Sequence, residues 1–153
     1  MLYVLAFLIG IVAGLRAMTA PALASWAARL GWLKVQGTPL AWMGAALTPW
    51  IFTLAAIGEL VNDKLPKTGS RKAPPAFIAR VLMGALSGAT VGAGGGNWAG
   101  GLIAGSIGAV VGTFGGYELR SRLARSFGRD LPAALLEDAI AIALSFWVVT
   151  RMR

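Results

Sequence analysis

The chain contains no cysteine and no histidine among its 153 residues, and only six acidic side chains. The first two absences exclude a disulfide framework, a thiol nucleophile, a Cys/His zinc site, a haem histidine ligand and a Ser-His-Asp triad. A cation held by carboxylates and carbonyls stays open, but neither a cofactor nor a metal centre is expected. Charge is scarce too. Only 13% of the residues are charged, where a soluble domain carries roughly 25%. Hydrophobic residues make up 57% of the chain, and the mean hydropathy is +0.71. So few polar side chains cannot coat a water-soluble globule. The sequence predicts an all-α integral membrane protein with one transmembrane domain over residues 1–153. About five spans of roughly 20 residues each, with their connections, use up that length.

Charge-free intervals mark the membrane. They predict spans at about 2–18, 39–59, 75–93, 98–117 and 131–150, with Gly94-Gly95-Gly96-Asn97 turning the chain between the third and fourth. No basic residue precedes the apolar run Met1 to Leu15, and Arg16 follows it, so this run reads as a retained span rather than a secretory signal. Residues 21–33 predict a short helix, interfacial or re-entrant. Pro21 suits a first turn, and Trp26, Arg29 and Trp32 are residue types found at headgroup level.

Nine of the 14 basic residues lie in the segments 59–80 and 117–131. Loops 60–74 and 118–130 are therefore expected to be cytoplasmic. Contact with anionic headgroups then explains the net charge of +8 without invoking nucleic acid. An odd span count would put the N-terminus inside, leaving Arg16, Arg29 and Lys34 on the outer side. A deeper 21–33 segment would put it outside. A faint duplication, Leu8 to Gly14 against Leu82 to Gly88, suggests two parallel hairpins plus a fifth helix.

Glycine is where the sequence is richest: 13 of its 21 glycines fall between residues 84 and 116. Gly84, Gly88 and Gly92 recur at four-residue spacing, as do Gly101 and Gly105, and Gly108, Gly112 and Gly116. Each set shares a helix face on which backbones approach closely. Pro49 falls inside the second span and predicts a helix break there, as a static kink or as a carbonyl freed toward a polar cavity.

The acidic residues carry the candidate chemistry. Glu59 and Asp63 share a helix face at the end of the second span, either paired within that end or holding a cation or an arginine. Just beyond them, Lys67, Thr68, Ser70, Arg71 and Lys72 are candidates for contacting lipid phosphate. Glu137 and Asp138 fall about two turns inside the last span, where charges are costly and face a partner or water. They read as a salt bridge to Arg80 or Arg122, or as a protonatable or cation-binding pair. Successive residues diverge by about 100° on a helix, so one of the two is expected to face inward. Arg16 closes the set, snorkelling to the interface or pairing with an internal acid or an anionic substrate.

These residues resemble the bacterial polytopic membrane proteins grouped as the domain of unknown function 4126 family. The resemblance is carried by Gly14-Leu15-Arg16-Ala17-Met18-Thr19-Ala20-Pro21-Ala22, by Gly37-Thr38-Pro39-Leu40 and by the run from Gly58 to Thr68. It continues in Pro74-Pro75, in Gly112 to Tyr117 and in Leu136-Glu137-Asp138-Ala139, and so covers nearly the whole chain. Residue 69 is Gly where the family pattern has Pro, which bears only on the shape of that loop. The resemblance implies a bacterial inner-membrane protein and supplies no activity.

Three function classes fit: transport of an ion, proton or small solute by a small homo-oligomeric bundle; a lipid-interacting or scaffold subunit of a larger membrane complex; and an intramembrane enzyme acting on a lipid phosphate through Glu/Asp and Lys/Arg. Transport is the favoured expectation, and an enzyme the least, because no complete catalytic motif is present.

Overall fold

The computed structural model describes residues 2–63, 74–128 and 130–151, and every regular element among them is helical. In chain order these are α1 (Leu2–Leu15), α2 (Thr19–Arg29), α3 (Thr48–Asp63), α4 (Pro74–Gly94), α5 (Trp98–Phe127) and α6 (Asp130–Thr150), with a single 3-10 turn, Ala41–Gly44, before α3. Among the described residues, three helical stretches are long and apolar enough to cross a membrane: Pro75–Gly94, Trp98–Phe127 and Pro132–Thr150. Leu2–Leu15 and Thr48–Val61 are shorter apolar helices. Large apolar side chains cover the outside as well, including Leu54 and Ile57 of α3, Ile103 and Ile107 of α5, and Phe146 and Trp147 of α6. Water-soluble monomers keep such patches to a few hundred Å². The apolar exterior and the three long apolar helices together mark a membrane protein.

The centre is a three-helix unit of α1, α4 and α5. α4 turns into α5 at Gly96, whose φ of +86° is the left-handed conformation that glycine adopts freely. Asn97 then caps α5, its side chain accepting from the Gly100 N–H at 3.0 Å. The helices touch backbone to backbone. A Cβ on Gly88 would lie 2.3 Å from the Gly101 carbonyl oxygen, and one on Gly105 would lie 2.2 Å from that of Gly84. On the other side of α5, a Cβ on Gly108 would meet the Phe7 carbonyl oxygen at 2.1 Å.

These contacts also fix the course of the chain. Leu2 lies against Gly95, and Gly14 against Ala109 and Thr113, so α1 runs parallel to α5. α4 runs antiparallel to both. The duplicated pattern, Leu8 to Gly14 and Leu82 to Gly88, therefore lies on two antiparallel helices, which rules out parallel hairpins. α2 returns along the bundle, bringing Leu33 to Gly94 at the end where α1 began.

Three expected elements differ. The 39–59 helix forms only from Thr48 onward, as α3: residues 39–47 hold only the 3-10 turn, and Pro49 lies in the first turn of α3. Proline lacks only an N–H that is unpaired there anyway, so Pro49 starts a helix instead of breaking one. Thr53 donates to the Pro49 carbonyl at 2.6 Å and Thr48 to that of Trp42 at 2.8 Å. The 21–33 helix runs from Thr19 to Arg29, and eight of its 11 residues are buried, with Ala20, Ala24, Ala27 and Ala28 inside the core. Small alanine faces let it pack inside the bundle. Trp26 packs edge-on against Trp50 at 5.1 Å and donates to Thr53 at 2.9 Å. The 118–130 connection is mostly helix, since α5 continues to Phe127 and stops at Gly128, whose φ is +69°. Glu118 and Arg122, paired at 2.9 Å one turn apart, sit in that extension.

Candidate functional site

α1 ends at Leu15, but the Arg16 N–H still bonds to the Val12 carbonyl at 2.6 Å, so Arg16 leaves the helix in register. The turn to α2 follows at once. Because α1, α2 and α6 close around that turn, Arg16 has no route to solvent and is wholly buried. It forms an ion pair with Asp138, itself 8% exposed. One residue earlier on α6, Glu137 is 1% exposed and lies 3.7 Å from Arg120 of α5. Arg80 of α4, also buried, donates from Nη1 to the Gly14 carbonyl at 2.8 Å, one of the carbonyls that the end of α1 leaves over.

Five charged groups from three helices and one turn thus gather at one end of the bundle, level with the end of α1. Both members of the acidic pair are buried, where only one was expected to face inward. α6 lies in the groove between α1 and α5, so two successive side chains about 100° apart each reach a different neighbour. Arg122, an expected partner of this pair, bonds to Glu118 instead, since α5 carries it around to the exposed side.

The remaining candidates are dispersed. Glu59 is half-buried on the face of α3 that also bears Phe52, Thr53, Ala56 and Leu60. Asp63 closes α3, and its side chain lies outside the described residues, as do Lys67, Thr68, Ser70, Arg71 and Lys72. Gly84, Gly88, Gly92, Gly101 and Gly105 lie where α4 meets α5; Gly108 and Gly112 face α1, and Gly116 is buried on α5. Among the described residues no group of three or more acidic side chains could hold a metal ion. A shallow hollow of about 230 Å³ lies at the opposite end, among Leu2, Tyr3, Gly92, Gly95 and Asn97, and carries no charge.

Arg120 escaped the sequence reading, which left it in a cytoplasmic loop. The signal that could have found it is the lack of any helix breaker between Tyr117 and Gly128. Comparison of the chain with models of known families, with curated proteins and with solved structures finds no match.

Proposed function

We propose that this chain is a small transport protein of the bacterial inner membrane, passing an ion or small solute through a helical bundle whose working element is the buried cluster of Arg16, Arg80, Arg120, Glu137 and Asp138. Membership of the domain of unknown function 4126 family, and with it the bacterial location, rests on the sequence motifs. One observation carries the reading: the Arg16–Asp138 pair is buried at a break between two helices, inside an apolar bundle. Ionisable groups at membrane depth are expensive and mark ion or substrate paths, and non-helical backbone persists there only where protein or a cavity surrounds it. A buried ion pair is, besides, a poor device for stability alone.

The course of the chain supports an orientation as well. Arg16, Arg80 and Arg120 share one end with the exposed Arg122 and Arg125, and that end is cytoplasmic by the excess of positive charge. Both termini then face outward, the arrangement that a deep 21–33 segment implies. α1 crosses with its short apolar length packed among neighbouring helices, while α3 packs on α2 and keeps Leu54 and Ile57 exposed. The lipid or scaffold reading draws on Arg122 and Arg125, exposed on the extension of α5.

Reconstitution into liposomes tests the proposal, with Glu137→Gln and Asp138→Asn beside the wild type and native mass spectrometry reporting stoichiometry and retained ligands. Wild-type flux that both variants lose while keeping their native assembly is the expected result. Flux unchanged in both variants sinks the site. A bare monomer without flux, carrying only phospholipid, sinks transport itself.

A further inference from the structure

The composition of the cluster narrows its ligand, an argument that rests on the transport reading above. Its five residues comprise three guanidiniums and two carboxylates, so the set carries one surplus positive charge. All three cations are arginine; of the basic segments, 60–74 mixes lysine and arginine and 118–130 holds arginine alone. Arginine presents a rigid fork of donors that matches carboxylate and phosphate oxygens two at a time, and lysine does not. The start of α2 lies three residues beyond the buried Arg16; it has no side-chain cap, and Thr19 and Ala20 there are buried. The N–H groups of a helix start add to the positive field. The internal carboxylates have the chemistry of an oxyanion ligand: Asp138 sits on Arg16, and Glu137 stands 3.7 Å from Arg120, a looser contact than a hydrogen bond.

We propose that the cluster binds a small oxyanion of the carboxylate or phosphate class, which enters by displacing Asp138 or Glu137 from its arginine. The internal acids hold the site closed when it is empty and compete with the ligand when it is present. No bond is made or broken, and charge balances by exchange of one carboxylate for another anion. The oxyanion is either free or borne on a lipid headgroup.

Thermal unfolding of the full chain in phospholipid-free detergent, followed by tryptophan fluorescence, provides the test. Inorganic phosphate and malonate are titrated against sodium chloride at matched ionic strength, and phosphatidylglycerol in mixed micelles forms a parallel arm. A saturable rise of the midpoint with phosphate or malonate supports a free oxyanion; a rise with the lipid alone supports the headgroup. Asp138→Asn removes the competitor and should tighten apparent affinity about tenfold, the scale of one hydrogen bond to a charged group. Arg16→Lys keeps the charge and loses the fork, so it should weaken binding; Arg80→Gln provides a second weakened variant if Arg16 cannot be changed. Loss of binding on Asp138→Asn, a response to calcium chloride only, or no saturable response in any arm would overturn the proposal. Binding without flux would overturn transport and leave the site standing. Flux of a cation without oxyanion binding would do the reverse.

Discussion

Adding a single methyl group at Gly88 should weaken the bundle, while the same change at an open helix position should not. In Gly88→Ala the new Cβ would lie 2.3 Å from the Gly101 carbonyl oxygen and 2.7 Å from the Gly105 Cα. Both are backbone atoms of a packed helix, so no side chain can swing away to make room. Restoring an ordinary contact means moving α4 and α5 apart by about 1 Å, and overpacking of this kind costs about 1–3 kcal/mol. The separation also thins neighbouring contacts at Gly84 and Gly92, which close on Gly105 and Gly101. Gly115→Ala and Gly58→Ala are the controls, since a Cβ at either position meets nothing within 4 Å. In them the better helix propensity of alanine should be neutral or add up to about 1 kcal/mol. The assay is the unfolding midpoint in one detergent for all three variants. A Gly88→Ala midpoint equal to or above that of Gly115→Ala would refute the close approach of α4 and α5.

Other substitutions probe separate parts of the account. Arg16→Ala takes a buried cation away from Asp138 and should cost about 3–5 kcal/mol, against about 0–1 kcal/mol for Arg122→Ala, which loses only a surface pair; denaturation of the two variants side by side measures the difference. Asn97→Ala removes the cap of α5 and the bond its amide donates to the Tyr3 hydroxyl at 2.6 Å; it should cost about 1 kcal/mol, and Asn97→Asp should recover the cap. Thr53→Val takes away the acceptor of the Trp26 indole N–H and should lower the midpoint by the equivalent of about 1–2 kcal/mol, with a change in tryptophan emission.

The features legible in the sequence were those set by local chemistry. The all-helical class followed from long apolar runs, and the α4–α5 turn from three consecutive glycines and an asparagine that caps. Pro49 was misread because a proline signals a helix start and a helix break equally well; only the absence of helix before Thr48 decides between them. The depth of α2 was left open between an interfacial and a re-entrant helix, because Trp26 is at home in headgroups and also against Trp50. The acids were singled out by their depth in an apolar run, but their partners depend on how α6 lies between α1 and α5. Spacing along one helix carries no information about that. Arg16, 122 residues from Asp138 in the sequence, reaches it only because α1 stops short and turns.

The most direct test of the central claim replaces the Arg16–Asp138 pair by an apolar pair of similar size, Arg16→Met with Asp138→Leu, and measures flux and unfolding midpoint on the same preparation. A pair kept for function predicts a midpoint equal to or above that of the wild type, because the desolvation cost of two charges disappears, together with loss of flux. A variant with wild-type flux, or one that loses stability in proportion to its flux, would contradict the claim and make the cluster a structural tie.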